Sequence, residues 1–153
     1  LGWIGLVDRH LEKRERAQAF GADAIYDRDD PLITDKARKL DAVIDAVGKP
    51  ELINKGLPLL KRGGSMCVYG FYAGVKDVSV ANALGDFNYN LFVHQWPTRL
   101  YEKEAQAPLS EWVREGRLSA DDFITHRFRM GEINDALEAV RQRKVVKALL
   151  TYA

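Results

Sequence analysis

The sequence predicts an α/β fold with a doubly wound parallel sheet, because short apolar runs alternate with amphipathic segments through its first half. The connections between these segments are short, as they are in βαβ units. One run, residues 40–47, is apolar on both faces except at Asp41 and Asp45. That pattern is typical of a strand covered on both sides, and it supports a parallel sheet.

The first half contains four predicted strands with helices between them. Gly21 ends the first helix, Pro50 suits the first turn of a later one, and Gly63 with Gly64 ends that later helix. In chain order the predicted elements are a strand at 3–7, a helix at 11–20, a strand at 22–26, a short helix at 33–39, a strand at 40–47, a helix at 52–60 and a strand at 65–69.

The second half of the chain is less regular, but no linker is long enough to divide it. Its predicted elements are a strand at 91–93, a helix at 100–114 that is kinked or broken near Pro108, an extended stretch at 121–128, a helix at 132–142 and a strand at 145–152. We therefore expect residues 1–153 to form one partial domain that ends with a helix and a strand.

Asp8 is the residue most informative about function. It follows the apolar run 1–7 and precedes a charged helix, as does the acid that binds the adenosine ribose in a dinucleotide-binding fold. A carboxylate there would repel the 2′-phosphate of NADP and so favours NAD, although a neighbouring arginine such as Arg9 can accommodate that phosphate or stack on adenine. The simpler interpretation is that Asp8 caps the following helix.

The spacing upstream of Asp8 predicts that part of the dinucleotide fold is missing. In a Rossmann-type domain the Gly-x-Gly-x-x-Gly phosphate turn lies about 20 residues before the ribose acid. Only seven residues precede Asp8. We therefore expect a Rossmann-type dinucleotide-binding fold truncated before its first strand and glycine-rich turn.

Composition argues against several other classes of protein. The chain of 153 residues carries 23 basic and 22 acidic side chains, so no overall field draws it to nucleic acid or an anionic membrane. The single cysteine, Cys67, rules out an internal disulfide framework and fits a reducing compartment. The three histidines are widely separated, without the spacing of zinc ligands. We expect a cytoplasmic protein with no nucleic-acid or membrane partner.

Four strings resemble the medium-chain dehydrogenase/reductase family, which includes the zinc-dependent alcohol and polyol dehydrogenases. They are residues 7–13 with 20–23, residues 41–48, residues 60–64 with 68–70, and residues 124–128 followed by 132–136 and 145–149. The resemblance covers nearly the whole chain. It implies the cofactor-binding part of such an enzyme, with the amino-terminal catalytic domain and its zinc ligands absent.

The resemblance implies cofactor-binding roles for residues in four places. It assigns the adenosine ribose to Asp8 and Lys13, with Arg9 beside them. It assigns a turn along the cofactor to Val47, Gly48 and Lys49. It assigns a turn near the nicotinamide ribose and carboxamide to Tyr69, Gly70 and Phe71. It assigns the pyrophosphate to Lys147, at a position that is commonly arginine in relatives. For Asp45 it implies a structural role more than a catalytic one.

For function, the resemblance implies a parent enzyme that transfers a hydride between an alcohol or polyol and NAD, with zinc held outside this chain. The chain alone is then expected to be inactive. Two alternatives stay open: part of a zinc-independent, NADP-linked quinone or enoyl reductase, and a non-catalytic NAD-sensing domain. Relatives also pair through the last strand of the sheet, near residues 91–93, so we expect a homo-oligomer, either a dimer or a tetramer.

The sheet order of a complete domain, 3-2-1-4-5-6, makes one further prediction. The missing first strand belongs between the strand at 3–7 and the strand at 40–47, and its absence leaves two facing edges without a partner. We expect these two strands to pair with each other, or a second copy of the chain or other residues to fill the gap.

Overall fold

The computed structural model describes residues 2–75, 77–80, 88–94 and 99–152. Within these residues the strands are β1 (Gly5–Val7), β2 (Ala24–Tyr26), β3 (Leu40–Asp45), β4 (Leu60–Val68), β5 (Asn90–Val93), β6 (His126–Arg129) and β7 (Ala148–Thr151). The α-helices are α1 (Leu11–Ala19), α2 (Glu51–Gly56), α3 (Arg99–Arg114) and α4 (Ile133–Arg141). Short 3-10 helices occupy Pro31–Lys36, Leu57–Leu59, Ala120–Asp122 and Met130–Glu132.

The chain divides into two compact units, residues 1–96 and residues 97–153. In the first unit, β1 pairs with β2 in parallel, and β3, β4 and β5 form a second parallel sheet in that order. In the second unit, β6 and β7 pair in parallel and α4 connects them. The prediction of an α/β fold with parallel strands is confirmed.

The two sheets of the first unit reproduce the predicted strand order with a gap in it. β2 lies beside β1, and β3, β4 and β5 follow one another, but among the described residues β1 and β3 are not paired. Of the three expected outcomes, direct pairing of these two strands is therefore not found, and filling of the gap by a second copy or by other residues stays a prediction. β1 has three residues and pairs with β2 along all of them, which leaves its other edge without a ladder partner in the described residues.

The core of the first unit lies where α2 and the turn after it cover one face of β3 and β4. Its buried side chains are Ile53, Leu57, Leu60, Met66, Val68 and Tyr72, and Val43, Val78, Val80 and Tyr89 pack against them from partly buried positions. The other face of β3 is open, since Ile44 is 66% exposed. The prediction that this strand is covered on both faces is therefore wrong.

The boundary between α2 and β4 also differs from the prediction. The helix ends at Gly56, and β4 begins at Leu60 and runs through Gly63 and Gly64, which were predicted to end a helix. Gly63 has a φ of +75°, and the register between β3 and β4 shifts along this stretch. Glycine tolerates this backbone within a strand, so the pair marks an irregularity in β4 rather than its start.

In the second unit, α3 runs through Pro108 as one helix, so the predicted break is not found. α4 buries Ala136, whereas Ile133, Leu137 and Val140 stay partly exposed on it. Among the described residues no helix has the length and apolar character needed to cross a membrane.

Candidate functional site

The first part of the candidate site is the Asp8 turn, residues 8–10, which follows β1. Its backbone is tied to β2, because Asp8 N donates to Tyr26 O at 3.2 Å. Asp8 Oδ1 accepts a hydrogen bond from His10 N at 2.8 Å, just before α1 begins. His10 is the N-cap residue of α1, so this bond shapes the turn before the helix and does not cap the helix itself. Asp8 Oδ2 accepts no hydrogen bond from the described residues and remains available to a ligand.

Arg14, on α1, stabilises the Asp8 turn through a hydrogen bond to the carbonyl of Asp8. Its side chain is only 14% exposed, and Nη1 donates to Asp8 O at 2.6 Å and to Asp27 Oδ2 at 2.7 Å. Asp8 follows β1 and Asp27 follows β2, so one side chain of α1 joins the carboxyl ends of both strands. Partial desolvation raises the pKa of Asp27, but the hydrogen bonds from the Arg28 backbone and the Arg14 guanidinium outweigh it and leave this pKa below its usual value.

The basic residues predicted beside Asp8 are on the surface. Arg9 Nε donates to His10 Nε2 at 3.0 Å, and its side chain is exposed. Lys13 is exposed on α1 and makes no ion pair with the described residues.

The second part of the candidate site is a pair of turns at the carboxyl ends of β3 and β4, residues 46–49 and 69–72, which we call the turn pair. Parallel pairing places both turns at the same edge of the sheet, because Asp45 and Val68 are register partners. Ligands of open parallel α/β sheets bind outside this edge. Six of the predicted cofactor-binding residues lie in the turn pair: Val47, Gly48, Lys49, Tyr69, Gly70 and Phe71.

Two glycines allow the turns to touch. Gly48 has a φ of +86°, and a Cβ built on it would overlap the Phe71 backbone, 2.8 Å from the nitrogen. A Cβ built on Gly70 would overlap Gly48 in the same way, 2.5 Å from its Cα. Only glycine fits at both positions without moving the backbone. Around this contact Val47, Tyr69 and Phe71 leave more than half of their surface exposed.

Asp45 connects the two turns from below. Its carboxylate accepts from Val47 N at 2.8 Å, from Gly48 N at 3.1 Å and from Tyr72 Oη at 2.9 Å. Asp45 is 4% exposed, so these bonds satisfy a carboxylate that is almost fully removed from water. The expected structural role of Asp45 agrees with this geometry.

Lys147 lies in the second unit, immediately before β7. Its carbonyl accepts from Thr125 N at 3.0 Å, which ties the start of β7 to β6, and its side chain is exposed. The predicted residues therefore fall into three groups: the Asp8 turn with Lys13, the turn pair, and Lys147.

Sequence reasoning missed two residues of the site, Arg14 and Tyr72. The signal for Tyr72 was indirect: an aspartate within an apolar strand needs a buried donor, and Tyr72 supplies it from 27 positions away. Arg14 gave no comparable signal, since it lies in a run of charged residues that suggests a solvated helix face. No three or more histidine, cysteine, aspartate or glutamate side chains in the described part of the chain come together as a possible metal site.

Comparison with known proteins assigns this chain to a family. Residues 4–107 match the family model for zinc-binding dehydrogenases. This match spans more than half of the chain, which therefore belongs to the zinc-binding dehydrogenase family, and the resemblance to medium-chain dehydrogenases is confirmed.

Individual relatives support the same assignment. An alcohol dehydrogenase of Cupriavidus necator is 27% identical over 135 residues, which cover 83% of this chain and 36% of that relative. The L-galactonate-5-dehydrogenase of Escherichia coli K12 is 24% identical in an alignment of 178 positions, gaps included, that covers 99% of this chain and 50% of that relative. The chain thus spans half or less of these relatives' length.

A solved structure confirms the fold. An alcohol dehydrogenase from Escherichia coli CFT073, crystallised with its cofactor NADH, superimposes with a TM-score of 0.80 at 20% sequence identity. The match covers 99% of this chain and 45% of that protein. The chain therefore has the Rossmann-type fold of the carboxy-terminal domain of alcohol dehydrogenases.

Proposed function

We propose that this chain is the cofactor-binding part of an NAD-dependent, zinc-dependent alcohol or polyol dehydrogenase. The observation that carries the proposal is the turn pair, in which Gly48 and Gly70 bring two turns together at the carboxyl edge of β3 and β4. This edge is where parallel α/β sheets bind nucleotides. Family membership and the NADH-containing structural relative support the same function.

The Asp8 turn fits the adenosine end of a dinucleotide. Among the described residues, Asp8 Oδ2 has no hydrogen-bond donor and Oδ1 has a single one, the amide of His10. A ribose with free 2′ and 3′ hydroxyls supplies two donors to such a carboxylate, whereas a 2′-phosphate would be repelled by it. We therefore propose NAD as the cofactor, with Arg9 and Lys13 at the edge of the adenosine site.

The turn pair fits the nicotinamide end. Val47, Tyr69 and Phe71 present apolar surface beside a backbone contact that has no room for further side chains. Such a surface can pack against a flat ring and hold one of its faces toward the substrate. Lys49, next to Gly48, provides a cation for the ribose and phosphate groups. The resemblance assigns the pyrophosphate to Lys147, and that assignment stays a prediction.

In this proposal the chain binds and orients, and the reactive chemistry belongs to groups that it does not supply. NAD, when bound, would supply hydride transfer at its nicotinamide ring, and this chain's turns would hold and orient that ring. Zinc would act as a Lewis acid on the substrate oxygen, held by residues outside these 153. We accordingly propose that the chain by itself has no dehydrogenase activity and that the parent enzyme is cytoplasmic.

A calorimetric titration tests the cofactor assignment. NAD and NADP are titrated into the chain, into an Asp8→Ala variant and into an Asp35→Ala control, which removes an exposed aspartate of the same unit. We expect NAD to bind more tightly than NADP, and Asp8→Ala to weaken NAD binding by about 10- to 100-fold through loss of charge-assisted hydrogen bonds. The Asp35→Ala control is expected to bind NAD as the unsubstituted chain does.

Three results would contradict parts of this proposal. Tighter binding of NADP would favour the reductase alternative. If the Asp8→Ala variant and the control bound NAD equally well, the proposal that Asp8 binds the adenosine ribose would be refuted. Binding of NAD together with measurable alcohol oxidation by the isolated chain would refute the division of labour between this chain and the zinc-binding part.

We also propose that the parent is a homo-oligomer that pairs through β5. This strand is at the edge of its sheet in the described residues, and Leu91, Phe92 and Val93 are each more than a third exposed. An exposed apolar edge strand is a template for pairing with a second copy. Light scattering after size exclusion should give a dimer or tetramer, and a Phe92→Lys variant should shift it toward monomer. An unchanged mass would contradict pairing at this edge.

A further inference from the structure

We propose that the buried hydrogen bond between Tyr72 and Asp45 positions the turn pair for cofactor binding, so that both are positioning residues. The proposal rests on the proposed function, because it assumes that the cofactor lies on the turn pair. Neither side chain is placed on the ligand itself. Both act through the backbone of the turn pair, of which Tyr72 is the last residue.

The first step of the argument is the number of groups that Asp45 organises. Its Oδ1 fixes the first turn through the amides of Val47 and Gly48. Its main-chain oxygen fixes the second turn by accepting from Tyr69 N at 2.9 Å and Gly70 N at 2.8 Å. Each turn therefore depends on where this one residue sits.

The second step is the role of Tyr72 in fixing Asp45. Tyr72 is 8% exposed and belongs to the buried core cluster, so its ring is held by packing. Its hydroxyl donates to Asp45 Oδ2, the carboxylate oxygen that does not contact the first turn. A carboxylate held at only one oxygen can rotate about its last torsion, which is soft. The tyrosine removes that freedom and sets the direction in which Oδ1 faces.

The third step is that the contact between Gly48 and Gly70 leaves little room for movement of either turn. Gly48 and Gly70 approach so closely that neither can accept a Cβ, so a small rotation of the first turn changes its fit to the second. A buried carboxylate is also a costly way to stabilise a core, and an apolar pair of similar volume often does as well or better. The bonds that Asp45 makes to the turns explain why a charged group suits this position.

The structural test uses Tyr72→Phe and Asp45→Asn, with Tyr89→Phe as the matched control. Tyr89 packs against the same core, but its hydroxyl makes no hydrogen bond with the described residues. Amide hydrogen exchange is measured at Val47 and Gly48. We expect Tyr72→Phe to accelerate it by about three- to tenfold, in the range expected for one lost hydrogen bond. Asp45→Asn keeps an acceptor for both amides and should change exchange less. Exchange in Tyr72→Phe that equals the Tyr89→Phe control would overturn the proposal.

The binding test separates positioning from a general loss of stability. NAD and AMP are titrated into the same variants, because AMP carries only the adenosine half that the Asp8 turn binds. We expect Tyr72→Phe to raise the Kd for NAD by about fivefold and the Kd for AMP by less than about twofold, whereas Asp8→Ala raises both. An equal loss for NAD and AMP in Tyr72→Phe would show a merely structural role and overturn the proposal.

The two proposals can fail separately. If the unsubstituted chain bound neither NAD nor AMP, the proposed function would be contradicted, and amide exchange would still decide whether Tyr72 holds the turns. If NAD bound and depended on Asp8 but not on Tyr72, the proposed function would stand and the positioning role would fall.

Discussion

Gly70 lies directly against Gly48, so that a methyl group on either glycine would overlap the backbone of the opposite turn. The contact joins two turns that are 22 residues apart in the chain and that follow neighbouring parallel strands. It lies at the edge of the sheet where we propose that the nicotinamide half of the cofactor binds.

Alanine substitutions should show how much of the loss in the free energy of unfolding comes from a clash between the turns and how much comes from an unusual backbone conformation. Gly70→Ala adds a clash and should lower the free energy of unfolding by about 1 to 3 kcal/mol. Gly48→Ala adds a clash and also places alanine in a left-handed conformation at a φ of +86°. It should therefore lower the free energy of unfolding by about 1 to 2 kcal/mol more than Gly70→Ala does. Urea unfolding followed by circular dichroism measures both variants, with Gly63→Ala as the control.

Gly63 is a suitable control because its φ of +75° is similar, while no atom lies within 4 Å of the place that a Cβ would occupy. Gly63→Ala should therefore show only the conformational cost, about 1 to 2 kcal/mol. If Gly48→Ala and Gly63→Ala cost the same, the contact between the turns would add nothing to the requirement for glycine.

Arg14→Met should loosen the Asp8 turn while keeping most of the apolar side chain. The variant loses the hydrogen bond to the Asp8 carbonyl and the ion pair with Asp27. We expect the free energy of unfolding to fall by about 1 to 3 kcal/mol and NAD affinity to fall with it, because Asp8 then moves. Lys13→Met, one position earlier and exposed, is the control for stability. An unchanged NAD affinity in Arg14→Met would show that Asp8 needs no support from α1.

The Arg14–Asp27 pair should make stability depend on acidic pH. The folded-state pKa of Asp27 is lowered, so the unfolded chain binds a proton at this residue first as the pH falls. Its contribution is therefore present above the usual aspartate pKa of about 4, and it is lost as the pH falls through the lower folded value. Urea midpoints at about pH 7, 4 and 3 measure this loss. The difference between the unsubstituted chain and Asp27→Asn should shrink toward acid; a constant difference would contradict the prediction.

Tyr72 should make stability depend on alkaline pH in the opposite sense. Burial first, and then the hydrogen bond to the Asp45 carboxylate, raise the pKa of the Tyr72 hydroxyl above its ordinary value. Above about pH 10 the unfolded chain loses this proton while the folded chain keeps it, so stability falls as pH rises. Unfolding midpoints at about pH 9, 10 and 11 should fall more steeply in the unsubstituted chain than in Tyr72→Phe. If the midpoints fell equally steeply with pH in the two proteins, the raised pKa of Tyr72 would be refuted.

Lys147→Ala should weaken NAD binding if its ammonium group reaches the pyrophosphate. We expect a loss of about 3- to 10-fold for NAD, with a smaller loss at high salt because an exposed ion pair is screened. Lys144→Ala, three residues earlier and also exposed, is the control. Lys147→Arg should bind NAD at least as well as lysine does, since its fork can contact two phosphate oxygens. Equal effects of Lys147→Ala and Lys144→Ala would leave Lys147 without a specific role.

Local patterns in the sequence determined the order of strands and helices, the parallel α/β class and the position of Asp8 at the end of β1. They did so because apolar periodicity, strand-ending acids and turn glycines act over a few neighbouring residues. Local patterns misled at Gly63 and Gly64, where pairing with β3 extends β4 through residues that usually end an element. They also misled at residues 40–47, where an apolar run has one open face.

Only the tertiary structure decided which partners these residues find. Asp45 meets Tyr72 across 27 positions and Arg14 joins Asp8 to Asp27, and neither pairing has a periodic signal in the chain. The contact between Gly48 and Gly70 depends in the same way on the register of β3 and β4. Register and buried hydrogen bonds are set by how distant segments pack, so the sequence predicted a site at the strand ends, and the fold determined what holds it in place.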